Sequence, residues 1–208
     1  MTDKINTYHI PVLCDACIDG LDIKPDGVYV DVTFGGGGHS RAIFEKLSAK
    51  GFLYVLDQDA DAKANIWNAS NFSFIQSNFS FLSNQMKAKG VIEVDGIIAD
   101  LGVSSHQFDQ PERGFSIRNE ADLDMRMNAS SQSTAADVLN TYDEDDLVRI
   151  FRSYGEIKNA RRLAAEIVQQ RIDGDIQTTN KLIDLLSSLA PKFKEHKYYA
   201  KVFQALRI

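Results

Sequence analysis

Four consecutive glycines, Gly35 to Gly38, stand directly after the β-branched and aromatic run Val28-Tyr29-Val30-Asp31-Val32-Thr33 and directly before a helical stretch. A buried strand that empties into glycines needs a backbone that can turn with positive φ, or one that a ligand can approach with no Cβ in the way. The surrounding hundred residues alternate strand and helix signals. They predict strands over 28–33, 52–56, 72–75 and 94–101, helices over 40–50, 59–68 and 81–89, and a leading helix over 12–21. Strands each followed by a helix imply right-handed βαβ crossovers and a parallel sheet covered on both faces. In such sheets ligands bind at the carboxyl ends of the strands. The positions to inspect are therefore Thr33 to His39, Asp57, Phe79, and Asp100 to Gln107.

The pattern changes near residue 109. Gln110 to Asn128 is polar and irregular, and helical signals follow. Ala160, Leu163, Ala164, Ile167 and Val168 recur at helical spacing; Leu182, Leu185, Leu186 and Leu189 form a second such set, opened by Thr178 or Thr179 and closed by Pro191. Tyr198 to Ile208 predicts a last helix. Charge divides the chain the same way. Residues 1–148 carry a net −12 and residues 149–208 a net +6. An acidic front and a basic back point to two lobes with different jobs, although helices that simply carry solvated Lys and Arg give the same count. The expected organisation is an alternating strand-and-helix part over 1–108 followed by a helical part from 109 onward. No apolar run approaches the ~18 residues of a membrane-spanning helix. The N-terminus has no apolar core of a signal peptide. Two cysteines cannot form a disulfide scaffold, so a cytoplasmic protein is expected.

The glycine loop narrows the ligand. A phosphate-binding P-loop needs Lys after the glycines, where this chain has His39. The dinucleotide fingerprint fails at its third position, which is Ser40 counted from Gly35 and Arg41 counted from Gly36. S-adenosylmethionine needs no phosphate cradle. It needs a close approach to the loop and an acid for the ribose hydroxyls. Asp57 lies 22 residues after Gly35, near the ~20 expected of a ribose-binding acid. Phe79, at the end of the third strand, can pack flat on an adenine, or belong to the core with Phe72, Phe74 and Phe81. Asp100 ends the fourth strand where a cofactor's reactive end would meet its acceptor. It can position an amine or take its proton, or merely cap the loop.

Seven stretches then match one family: Tyr8-His9-Ile10-Pro11-Val12-Leu13; Asp31-Val32-Thr33-Phe34-Gly35 with Gly37-Gly38-His39-Ser40; Asp100 to Ser105; Glu112-Arg113-Gly114-Phe115-Ser116; Leu123-Asp124-Met125-Arg126-Met127; Tyr154-Gly155-Glu156; and Phe203-Gln204-Ala205-Leu206-Arg207-Ile208. Together they resemble the bacterial 16S ribosomal RNA cytosine-N4 methyltransferase family, called MraW and later RsmH. The resemblance runs from residue 8 to 208. It implies an α/β class I S-adenosylmethionine methyltransferase fold with an inserted α-helical domain: a Rossmann-like cofactor-binding part over 1–108, a helical substrate-recognition domain over 109–200, and the start of a return to the sheet over 201–208. It also implies methyl transfer to the N4 amine of a cytosine in 16S rRNA of the small ribosomal subunit. By position the cofactor residues would be Gly37, Gly38, His39, Asp57, Phe79, Asp100 and Gln107. The chain departs from the family at Ala121-Asp122, where Gly-Pro is usual, and at Lys197-Tyr198, where many members have His-Pro. Family members also continue past Ile208 into further strands of the sheet, so this chain resembles the front portion.

Asp100 is the expected catalytic residue. Arg149, Arg152, Arg161, Arg162, Lys192 and Lys194 are expected to meet RNA phosphates. No metal is expected: Cys14-Asp15-Ala16-Cys17 lies in a predicted helix and reads as structural thiols. His106 reads as an exposed loop residue, Asp143 to Asp146 as a solvated helix start, and Met125 with Met127 as packing beneath a loop. A sheet ending at its fourth strand exposes an apolar edge, so weak activity and self-association are expected of this chain alone. Two other functions share the same features: a catalytically inactive RNA- or ribosome-binding fragment that keeps the pocket, and a nicotinamide-dependent oxidoreductase.

Overall fold

A computed structural model describes residues 11–207, so Tyr8, His9, Ile10 and Ile208 of the resembling stretches lie outside the described residues. The chain divides into two compact units, residues 1–104 and 105–208. The division falls four residues before the boundary expected from sequence.

The first unit is a four-stranded, wholly parallel sheet in the order β3-β2-β1-β4. Its strands are β1 (Val28–Asp31), β2 (Phe52–Asp57), β3 (Phe72–Gln76) and β4 (Gly96–Ile98), with helices α1 (Cys14–Gly20), α2 (Gly38–Phe44) and α3 (Leu82–Ala88). Strand alternation sorts the core into two faces. Tyr29, Leu53, Val55 and Ile98 pack with Ile18 of α1 and with Phe34 and Ile43 on one face. Val30, Val32, Leu56 and Ile75 pack with Met86 of α3 on the other. Each such side chain withdrawn from water stabilises the unit by about 1.5–3 kcal/mol.

Three elements differ from the sequence reading. The helix expected over 40–50 is α2, which ends at Phe44 because Lys46 and Leu47 donate three residues back, to Ile43 and Phe44. The helix expected over 59–68 is a 3₁₀ helix, Ala60–Asn65, opened by Asp59, whose carboxylate accepts from the Asp61 N–H. The strand expected over 94–101 is only Gly96–Ile98. Before it, the Asp95 carboxylate accepts from the Val28 N–H and from Lys24 Nζ. After it, the chain bends so that the Asp100 N–H reaches Thr33. Among the described residues β4 pairs with β1 alone, and Ile97 is 49% exposed.

The second unit is helical: α4 (Ser105–Asp109), α5 (Ala135–Thr141), α6 (Glu144–Ser153), α7 (Ala160–Asp173), α8 (Thr179–Ser187) and α9 (Glu195–Leu206). Polar residues open three of them. Thr134 and Asp137 form a reciprocal capping box on α5. Asp143 caps α6 and Thr178 caps α8. Leu139, Leu147, Phe151, Leu163, Ile167, Leu182, Leu186 and Val202 close the core. Residues 201–207, expected to begin a return to the sheet, continue α9 and its terminal turn within this unit. Between α4 and α5, the loop is pinned by Asp124, which accepts from both the N–H and Nε of Arg126 at 2.9 Å.

Candidate functional site

The rim formed by the carboxyl ends of β1, β2, β3 and β4 is held together by side chains that cross from one strand end to the next. The loop after β1 has left-handed φ values of +48° at Gly35 and +76° at Gly37. Among the described residues a Cβ at Gly35 would meet only the Thr33 carbonyl, at 3.9 Å, which leaves room there for a ligand. Gly38 is required for a different reason: a Cβ there would lie 2.3 Å from the Pro11 ring. Pro11 belongs to the first stretch of the family resemblance, and this contact gives that stretch a physical role.

Asp57, at the end of β2, faces the loop. Its Oδ2 accepts from the Gly35 N–H at 2.7 Å and its Oδ1 from the Asp59 N–H at 2.9 Å. Burial pushes its carboxyl above the usual carboxylate range, against the lowering by these N–H groups. With Gln58 N–H as a third backbone donor, the carboxylate still keeps lone-pair capacity for a hydroxyl. Asn65 Nδ2 donates to the Gly35 carbonyl at 2.9 Å and holds the other side of the loop. After β3, Asn78 donates to Gln58 at 2.7 Å, tying the β2 and β3 ends, and Phe79 follows with its ring 45% exposed. Phe79 is thus not a core residue.

After β4, the Asp100 N–H donates to Thr33 Oγ1 at 2.8 Å. Thr33 Oγ1 in turn donates to Asp31 Oδ1 at 3.3 Å, and the Thr33 N–H to the same oxygen at 2.9 Å. Ser40 Oγ donates to Asp31 Oδ2 at 2.6 Å. Asp31 is 1% exposed, and burial raises its carboxyl. The Asp100 side chain is 58% exposed, and its Oδ2 lies 4.0 Å from His39 Nδ1. His39 is buried, and its Nε2 has no hydrogen-bond partner among the described residues. A buried ring nitrogen without a partner is costly, and a ligand group at the rim would satisfy it.

The first unit therefore brings together Gly37, Gly38, His39, Asp57, Phe79 and Asp100, six of the seven cofactor residues expected from sequence. Gln107, the seventh, lies in α4 of the second unit and is 4% exposed. Sequence reasoning missed Asp31 and Asn65 as parts of the site, and it marked Thr33 only as the start of the loop, not as the hydroxyl that holds Asp100. The signal for Asp31 was available: a carboxylate inside an otherwise apolar strand, nine residues before a serine it can hold.

In the second unit, Arg149, Arg152, Arg161, Arg162, Lys192 and Lys194 are all exposed. Arg149 is paired with Asp146 at 2.6 Å. No carboxylate among the described residues pairs with the other five. No helix among the described residues is long and apolar enough to cross a membrane.

The family model for the MraW methylase family matches residues 6–208. The chain is 56% identical to the ribosomal RNA small subunit methyltransferase H of Porphyromonas gingivalis, over 99% of this chain and 67% of that protein. It is 53% identical to the protein of the same name from Cytophaga hutchinsonii, over 97% of this chain and 68% of that one. The corresponding Bacteroides fragilis protein is 51% identical over all of this chain and 68% of its own length.

Proposed function

The chain belongs to the MraW methylase family, and from that premise we propose that it takes part in methylating the N4 amine of a cytosine in 16S rRNA of the small ribosomal subunit, with S-adenosylmethionine as methyl donor. The observation that carries this reading is the Asp31–Thr33–Asp100 chain of hydrogen bonds, which holds an exposed carboxylate beside an open glycine loop. The residues present suit the donor: a loop free of side chains at Gly35, a carboxylate with spare lone pairs at Asp57, an exposed ring at Phe79, and the buried Nε2 of His39. When bound, S-adenosylmethionine supplies an electrophilic methyl on a sulfonium.

What remains for the protein is largely positioning and desolvation. A cytosine amine is a weak nucleophile because its lone pair is delocalised into the ring. Asp100 accepts a hydrogen bond from that amine, turns the lone pair toward the methyl, and takes the proton that the nitrogen releases once the N–C bond has formed. Asp57 accepts from the ribose hydroxyls, and Phe79 flanks the adenine. Gly37, Gly38 and Gln107 complete the cofactor contacts. A base approached this way is single-stranded or flipped out of its stack. The cations of the second unit engage phosphates, and the reaction belongs in the cytoplasm, where ribosomal subunits are assembled.

Tritiated-methyl transfer to small subunits tests the reading, with Asp100→Ala as the decisive variant. Loss of transfer with the melting temperature retained is expected. Normal turnover by that variant removes Asp100 from the chemistry. Methyl transfer absent from wild type, with cofactor still bound, favours the inactive RNA-binding alternative. A thermal shift with NADH and none with S-adenosylhomocysteine favours the oxidoreductase.

A further inference from the structure

Phe193 is 96% exposed, and its backbone sits at φ +64°. A large apolar residue alone on a surface is ordinary; Ile92 is equally exposed, at 97%, with no such backbone. A bulky residue with left-handed φ is an outlier, and such strain clusters where a side chain must be held for function. The turn that presents the ring is built to hold it. Lys194 N–H donates to the Pro191 carbonyl at 3.0 Å, and Phe193 N–H donates to Glu195 Oε1 at 3.0 Å.

The ring stands among cations. Lys192, Lys194, His196 and Lys197 are exposed around it. The same end of the unit carries the start of α7. Tyr198 Oη donates to Asn159 Oδ1 at 3.1 Å, Asn159 Nδ2 donates to the Leu189 carbonyl at 3.3 Å, and the Arg162 guanidinium lies near enough to act on the Tyr198 phenol. Arg161 and Arg162 therefore share this end of the unit with the 192–197 turn. An exposed aromatic ring set among cations that form no ion pair among the described residues is how single-stranded nucleic acid is held: phosphates meet the charges, and a base lies on the ring face.

We propose that Phe193 is a stacking platform for one unpaired nucleobase of the RNA, with Lys192, Lys194, Lys197, Arg161 and Arg162 meeting the flanking phosphates. This rests on the RNA reading given above and adds a base-contacting position that lies outside the rim residues. A ring that lay against a protein partner instead would contribute nothing to RNA affinity.

The test is fluorescence anisotropy of a labelled single-stranded RNA oligonucleotide titrated with the full chain over a range of salt concentrations. Phe193→Ala is expected to weaken binding about 10-fold at every salt concentration, so that the slope against log salt is unchanged. Phe193→Trp should keep wild-type affinity or exceed it, while Phe193→Leu should lose about as much as Ala. All three should melt at the wild-type temperature, since an exposed ring buries nothing. Wild-type affinity in Phe193→Ala or in Phe193→Leu overturns the stacking assignment, as does a loss confined to the salt slope. If wild type itself binds the oligonucleotide with no salt dependence, or not at all, the RNA reading falls first and this one with it.

Discussion

The Thr33 hydroxyl accepts the Asp100 N–H at 2.8 Å, joining the end of the fourth strand to the loop that leaves the first. The same hydroxyl donates to the buried Asp31, so the placement of the rim carboxylate is set from inside the sheet. Thr33→Val keeps the shape and removes both bonds. It is expected to weaken S-adenosylhomocysteine binding about 10-fold by calorimetry, in line with the loss of one or two hydrogen bonds, while Thr33→Ser restores it. Equal affinities for wild type and Thr33→Val would mean that Asp100 is held by something else.

Asp57 accepts from the Gly35 N–H while it faces the open side of the loop. A carboxylate that accepts hydroxyl protons binds them more strongly than an amide does. Asp57→Asn should therefore cost about 10- to 100-fold in S-adenosylhomocysteine affinity, read by equilibrium dialysis. A change below threefold would place the ribose elsewhere.

Burial raises the Asp31 carboxyl above its ordinary 3.8, with Ser40 and Thr33 pulling back less strongly. An acid whose pKa is higher in the folded chain binds its proton more tightly there. Its contribution to stability is therefore fullest below pH 3.8 and is lost as pH rises through the folded-state value. Asp31→Asn keeps the shape, with the amide oxygen accepting from Thr33 N–H and the amide nitrogen donating to Ser40 Oγ, and it removes the charge. Its melting temperature relative to wild type should climb with pH through that interval and then level off. Parallel curves from pH 4 upward would show that Asp31 is not the buried charge that limits stability.

Much of the first unit was legible because the strands are buried on both faces and end in punctuation: Gly35 to Gly38 after β1, and Asp57 at the end of β2. The period of apolar residues marked α7 and α8 for the same reason. Element lengths were not legible. The end of α2 depends on Ser48 donating its N–H to the Pro25 carbonyl, and the extent of β4 depends on Asp95 and Thr33 taking backbone groups at either side; these partners are 23 to 67 residues away in sequence. The site followed the same rule. Asp57, Phe79 and Asp100 announce themselves as strand-end residues, whereas Thr33 and Asn65 matter only through atoms that folding brings to them. Phe193 was invisible for a third reason. Within Lys192-Phe193-Lys194 it looks like one apolar residue in a polar turn; Leu13 shares its left-handed φ and its exposure, and only the combination of those with neighbouring cations sets Phe193 apart.

The basic residues of the second unit are not equivalent. Arg149 already faces the Asp146 carboxylate at 2.6 Å, and a phosphate must compete with that partner. Arg161 and Arg162 have no carboxylate partner among the described residues, and they share one end of the unit with the Lys192–Lys197 turn. Each phosphate contact on a single strand contributes about 0.7 to the slope of log affinity against log salt. Replacing both Arg161 and Arg162 by Ala should lower that slope by about 1.4, and Arg149→Ala should lower it by clearly less than half as much. Filter binding of a single-stranded RNA from 50 to 300 mM salt separates the two (roughly the range over which such contacts are screened). An unchanged slope in the double variant would remove the α7 arginines from the RNA surface. A larger effect at Arg149 would move the contact to α6 and show that the Asp146 pair opens when RNA binds.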